Sequence, residues 1–216
     1  MKLTEFLLEL FYPSRCAFCG KLLNNGAGMC VQCEKLLPTT GENNEKQFFA
    51  NMELCVSPFY YEGAVREALL RYKFAGAASY SRVFGKISAK CIDESKISCD
   101  IITWVSLSRK RLRRRGYDQA RLLAESAAKE LDLPCAALLR KIRHTPAQSG
   151  IKDYRKRREN VSGVYEAADP DKIRGKRVLL IDDIVTTGAT LSEAATVLKK
   201  AGAVSVVAAT VARRRD

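Results

Sequence analysis

Histidine is nearly missing from this chain of 216 residues, His144 being the only one. Catalysis through a His-based triad anywhere else is thereby excluded, and His144 itself lies in a polar, basic stretch where an exposed loop residue is expected. Long hydrophobic runs are missing as well. No stretch approaches the ~20 apolar residues of a membrane-spanning helix. Residues 1–12, MKLTEFLLELFY, set Leu3, Phe6, Leu7, Leu10 and Phe11 at helical spacing, which predicts a short amphipathic helix docked on the protein's own core. Glu5 and Glu9 interrupt it, Lys2 is its one cation, and no small-residue cleavage site follows, so a secretory signal is not expected. These absences predict a cytoplasmic protein. Acid is scarce in one half only. Residues 101–216 hold 25 Lys and Arg against 13 Asp and Glu, whereas residues 1–100 hold 12 against 11. The net charge of +13 is thus concentrated in the second half, where it would attract single-stranded or duplex nucleic acid, or a di- or triphosphate ligand.

Against these gaps stands a 47% hydrophobic content, enough for one sizeable core and a small appendage. The appendage is marked by Cys16, Cys19, Cys30 and Cys33, spaced C-x2-C-x10-C-x2-C. Each x2 pair can present two thiolates from one tight knuckle, and two knuckles complete a tetrahedral zinc site. Disulfides are the other reading of such a pattern, but a cytosolic chain keeps its thiols reduced. Four thiolates leave no open coordination position, so the metal is structural. Cys55, Cys91, Cys99 and Cys135 sit among apolar neighbours and read as small buried hydrophobes. The polar residues 37–51, with Pro38 and Gly41 as breakers, are expected to form a linker or a long hairpin loop. Two units are therefore expected, residues 1–50 with the helix and zinc module, and residues 51–216.

The second unit is organised around residues 178–190, VLLIDDIVTTGAT. Four consecutive apolar residues, 178–181, indicate a strand buried on both faces of a parallel sheet. Asp182 and Asp183 follow where that strand is expected to end, then a loop of small and hydroxyl-bearing residues, then helix formers over 191–200. Strand, hydroxyl-rich loop and helix N-terminus in succession form a phosphate cradle, since first-turn amides are unpaired and the helix dipole favours an anion there. Two carboxylates beside a phosphate would repel it unless they serve sugar hydroxyls or a bound Mg²⁺. Elsewhere the pattern predicts strands over 54–61, 101–107 and 204–211 and helices over 64–74, 80–93 and 117–131. Arg66, Arg71 and Lys73 of the first of these helices are expected to face water. Residues 109–115 carry six cations in seven positions and should form a loop at the carboxyl edge of the sheet, where ligands of open α/β sheets bind. A second basic run, 139–160, holds Tyr154 among its cations, a combination suited to a single strand whose bases stack on the ring.

The 178–190 stretch resembles the phosphoribosyl pyrophosphate (PRPP) signature of the type I phosphoribosyltransferases. Combined with R-G-Y-D-Q-A at 115–120, with Arg143, Thr145 and Gln148 as R-x-T-x-x-Q, with Arg157 and Asn160 as R-x-x-N, and with the four cysteines, the chain looks like the ComF family of competence-associated proteins. Asp118 stands where that family commonly has Asn, and Ser106 where Pro is expected. The resemblance implies an α/β, parallel-sheet type I phosphoribosyltransferase (Rossmann-like) fold with a small N-terminal zinc-binding module. By the same resemblance, Asp182 and Asp183 hold the ribose with Mg²⁺; Thr186, Thr187, Gly188, Ala189 and Thr190 wrap the 5′-phosphate; and Ser108, Arg109, Arg115 and Gly116 contact the pyrophosphate. The run 139–160 would be the loop that closes over the site. Arg111, Arg113, Arg114, Arg143, Lys152, Tyr154, Arg155 and Arg157 are the candidates for nucleic-acid contact. The implied role is DNA uptake in natural transformation, with PRPP bound, single-stranded DNA handled in the cytoplasm and other DNA-uptake proteins as partners. An active phosphoribosyltransferase with an unidentified acceptor, a nucleobase or another small molecule, is the alternative. Nothing after the 204–211 strand supplies the usual base-contacting wall.

Overall fold

The computed structural model describes residues 14–23, 28–41, 46–143 and 162–215. The amphipathic segment 1–12, His144, Thr145, Gln148, Lys152, Tyr154, Arg155, Arg157 and Asn160 lie outside the described residues. In chain order the elements are α1 (Val31–Leu36), β1 (Cys55–Val56), β2 (Phe59–Tyr60), α2 (Gly63–Phe74), α3 (Tyr80–Glu94), β3 (Ile101–Trp104), α4 (Arg109–Arg115) and α5 (Gln119–Leu131). They continue with β4 (Leu139–Lys141), β5 (Tyr165–Ala167), α6 (Pro170–Ile173), β6 (Arg177–Val185), α7 (Ala189–Lys200) and β7 (Ser205–Arg213).

The sheet is parallel throughout, with order β1-β7-β6-β3 and β2 also on β7. Every residue of β7 is buried, as are residues 178–181 of β6, which explains why neither strand alternates in sequence. Apolar side chains of β6 divide by the period of two. Leu179 and Ile181 join a core with α2, α3, α5 and Phe18, while Val178 and Leu180 join a second with Leu191, Ala194, Ala195 and Leu198 of α7. α3 packs closely on α5 because Gly85 has no side chain, and a Cβ there would lie 2.3 Å from Ser126 Oγ.

Several boundaries differ from the sequence expectation, each for a local reason. The strand expected over 54–61 is two short strands, β1 and β2. Pro58 between them has no N–H for the ladder, and Ser57 Oγ is bonded instead to Thr210 Oγ1 at 2.6 Å. β3 ends at Trp104, after which Val105 still donates to the Ile181 carbonyl and Ser106 Oγ turns to the Leu139 carbonyl at 2.7 Å. Residues 109–115 are a helix rather than a loop. Ser108 caps its start by accepting from the Arg111 N–H, and Gly116, at φ 84°, ends it in the left-handed conformation. Asp118 caps α5, accepting from the Arg121 N–H at 3.2 Å and the Leu107 N–H at 3.1 Å, so α5 begins two residues later than the apolar pattern indicates. β6 runs on through Asp182 and Asp183 to Val185. Part of the second basic run is not loop either, since β4 pairs with β5 in a small antiparallel ribbon.

Candidate functional site

Because β6 extends through both acids, its pleat sends Asp182 and Asp183 to opposite faces, and the two meet different neighbours. Asp183 is buried on the α2 and α5 side. Lys73 Nζ stands 2.8 Å from its Oδ1, and Gln119 Nε2 donates to its Oδ2 at 3.0 Å. Asp182 is half-buried, accepts the Asp183 N–H on Oδ1 at 2.8 Å, and shares its surroundings with Lys141 and Tyr165. At the carboxyl end of β6 both acids line one cavity of about 160 Å³, together with Lys73, Arg111, Arg115, Lys141, Gln119, Tyr165 and Thr190.

Four cations thus surround two carboxylates. Loss of water from its surroundings, and then the charge of Asp183, push Asp182 up to about 8. Burial, and then Arg111, push Lys141 down to about 8. Burial also lowers Arg111, and raises Asp118 despite its backbone donors. Two buried polar atoms on the wall have no hydrogen-bond partner among the described residues, Arg115 Nη1 and Gln119 Oε1. The Gln119 orientation follows from its neighbour, since an ionised carboxylate accepts only and must face the amide NH₂. Orphaned donors and acceptors at a cavity wall are what a polar ligand satisfies.

The other site residues expected from sequence fall around this cavity unevenly. Of the hydroxyl-rich turn, Thr190 lines it. Thr186 is exposed, Thr187 has its Oγ1 buried with no hydrogen-bond partner among the described residues, and Ala189 opens α7. Gly188, at φ 69°, is covered by Phe49 of the linker, and a Cβ at Gly188 would lie 2.2 Å from the Phe49 ring. Ser108 and Arg109 line an adjoining cleft of about 680 Å³ with Lys110, Arg140 and Arg143; this cleft shares Ser106, Leu107 and Lys141 with the cavity. Gly116 caps α4 and lines neither. Arg113 and Arg114 are exposed on α4, whereas Arg111, grouped with them by sequence, stands in the cavity.

The cysteine module sits against the α2 side of the core. The four Sγ atoms of Cys16, Cys19, Cys30 and Cys33 lie within 4.8 Å of one another, the only such group among the described residues. The Cys19 to Cys30 separation of 3.7 Å matches the ~3.8 Å edge of a tetrahedron with ~2.3 Å zinc–sulfur bonds. The Cys33 N–H points at the Cys30 thiol sulfur at 3.4 Å and the Cys30 N–H at that of Cys16 at 3.5 Å, as outer hydrogen bonds of a metal knuckle do. The residues fit a closed structural zinc site. Cys55 and Cys91 are buried and their thiols are pushed up to about 12, chiefly by burial, in keeping with inert core residues.

Residues 118–216 match the family model described as a phosphoribosyl transferase domain, and residues 7–44 match a double zinc ribbon domain. The chain is 27% identical to "Competence protein F" of Haemophilus influenzae over 89% of its own length and 93% of that protein's. It is 28% identical to "Competence protein ComFC" of Streptococcus pneumoniae, covering 86% and 87% of the two chains. With "Competence protein ComFC" of Bacillus subtilis the identity is 32%, over 73% of this chain and 63% of the other. These matches, with the four-cysteine cluster, support the ComF family. The chain's fold is the parallel-sheet phosphoribosyltransferase type with an N-terminal zinc module.

The ComF signature residues carry structural duties that their spelling does not announce. Within R-G-Y-D-Q-A, Tyr117 Oη donates to the Tyr72 carbonyl, Asp118 caps α5 and Gln119 holds Asp183. Sequence reasoning missed Lys73, Gln119, Lys141 and Tyr165 as site residues. Lys73 gave no signal, because a lone Lys near a helix end reads as solvent-facing. Gln119 could have been found, as the one polar residue at a position where α5 turns its apolar stripe to the sheet. Arg71, also expected in water, donates to the Ala17 and Phe18 carbonyls at 3.0 and 2.7 Å, inside the first cysteine knuckle.

Proposed function

We propose that this protein binds PRPP with Mg²⁺ at the carboxyl end of β6 and acts in DNA uptake, handling single-stranded DNA on its basic face in the cytoplasm. The observation that carries the reading is the meeting of Asp182 and Asp183 with four cations and two orphaned polar atoms in one cavity. Hydroxyls of a sugar, or a hard divalent cation, suit the acids; a diphosphate suits Lys73, Arg111, Arg115 and Lys141. Mg²⁺ would be held by Asp182 and Asp183 with ligand oxygens, and when bound it would shield the pyrophosphate charge. In that setting Thr190 and the α7 N-terminus take the 5′-phosphate. The competence names of the relatives support uptake of DNA, and the cleft bearing Arg109, Lys110, Arg140 and Arg143 supports a polyanionic partner. Residues 1–50 would serve as the zinc-stabilised module and residues 51–216 as the ligand-binding unit.

Calorimetric titration with PRPP and Mg²⁺ tests the site. Wild type should bind and the Asp182→Asn, Asp183→Asn double variant should not; silence from wild type would end the reading. For the polyanion, gel-shift titration of labelled single strands should show affinity falling steeply with salt. A flat salt response would remove nucleic acid as partner. Pyrophosphate release in the presence of nucleobases would turn the binding protein into an enzyme.

A further inference from the structure

Lys73 lies outside both regions matched by family models, at the end of α2, yet it reaches into the cavity and pairs with Asp183. The pair is largely withdrawn from water, with side-chain exposures of 18% for Lys73 and 6% for Asp183. As pure scaffolding it is a poor device, since the cost of desolvating two ions roughly cancels their attraction and an apolar pair would do as well. At the wall of a ligand cavity it has another use. An ammonium has three donors, and the Asp183 contact occupies one. Phe74, the next residue, carries the Arg115 guanidinium 5.0 Å from its ring centre, so Lys73 and Arg115 line the same cavity, and Arg115 Nη1 is the orphaned donor.

We propose that Lys73 is a ligand-binding residue of this site, taking the diphosphate end of the ligand together with Arg115, and that Asp183 is its partner in the free protein. The proposal rests on the PRPP reading above. A hydroxyl or divalent cation arriving at Asp183 competes for the carboxylate that Lys73 holds, and the freed ammonium turns to phosphate oxygens. Sugar and diphosphate recognition are thereby linked through one side chain, and the ligand class is one with both ends on the same molecule.

The test is calorimetry on the full chain with three probes, PRPP with Mg²⁺, inorganic pyrophosphate with Mg²⁺, and ribose 5-phosphate. Lys73→Met should weaken PRPP and pyrophosphate by about tenfold or more, the loss of one charge-assisted contact, and leave ribose 5-phosphate within about twofold. Lys73→Arg should keep most of the pyrophosphate affinity. An equal loss for all three probes would make Lys73 a mere support for Asp183 and overturn the proposal, as would no loss at all. Since Lys73→Met strands a buried carboxylate, the pair Lys73→Met, Asp183→Asn is compared with Asp183→Asn alone. The same tenfold drop for pyrophosphate is expected there, and equal affinity counts against Lys73. If wild type binds none of the probes, the PRPP reading falls and this proposal with it; binding by wild type with an unselective Lys73→Met defect removes this proposal alone.

Discussion

Gly188→Ala is a perturbation whose cost can be worked from two separable sources. The residue holds φ 69°, a left-handed conformation that costs an L-residue about 1–2 kcal/mol. Its missing Cβ would lie 2.2 Å from Phe49 Cδ1 and 2.4 Å from Cε1, so the ring must also move, at about 1–3 kcal/mol for overpacking. Together the change should cost about 3 kcal/mol or slightly more, which for a chain of this size lowers the melting temperature by about 6–12 °C. Only the second source depends on Phe49. In a Phe49→Ala background Gly188→Ala should therefore cost about 1–2 kcal/mol. Urea denaturation of the four proteins in this cycle gives the coupling directly, expected to exceed about 1 kcal/mol. A cost of Gly188→Ala equal in both backgrounds to within about 0.5 kcal/mol would refute the packing of the linker ring against the turn.

The remaining predictions concern other parts of the molecule. The Asp182 carboxyl, pushed up to about 8, keeps its proton in the folded chain while the unfolded chain releases it in the ordinary acid range. Its contribution to stability must then fall as pH rises from about 4 to about 8. Asp182→Asn should gain on wild type in denaturant stability between pH 5 and pH 9, and a constant difference across that range would contradict the assignment. Metal analysis should return about one zinc per chain. Stripping it with a chelator should release Phe18 from the core and lower cooperativity of unfolding, whereas an unchanged unfolding curve would show that the cysteines hold no structural metal. Gly85→Ala, normally favourable inside a helix, should instead cost about 1–3 kcal/mol by forcing α3 off Ser126, and a stabilised variant in thermal melts would negate the close helix contact.

Much of the architecture was legible because buried parallel strands and zinc knuckles write themselves locally. Residues 178–181 and 206–209 are apolar runs with no alternation, and both lie in central strands; C-x2-C pairs declare themselves by spacing alone. What stayed hidden depended on where the chain stops being regular. Ser108 capping a helix made of six cations and one leucine overrides the rule that such a run is a solvated loop, and Pro58 divides a run that looks continuous. In the site, the acids were legible from their position after an apolar strand. The residues that answer them were not, because Lys73 and Lys141 look like any exposed lysine until the fold brings them to the cavity of Asp182 and Asp183. Phe49 over Gly188 was hidden for the same reason, since a ring in a polar linker has no periodicity to assign it to a face.

Arg71 and Lys73 stand two positions apart on α2, and a helix turns such neighbours in nearly opposite directions. One holds the carbonyls of a cysteine knuckle and the other an acid of the cavity at the end of β6. The last turn of the helix is thus gripped from two opposite sides, and the cysteine module is no detachable ornament. Damage to the cysteine knuckle would loosen the turn that carries Lys73, so a fault in one unit is felt at the cavity of the other.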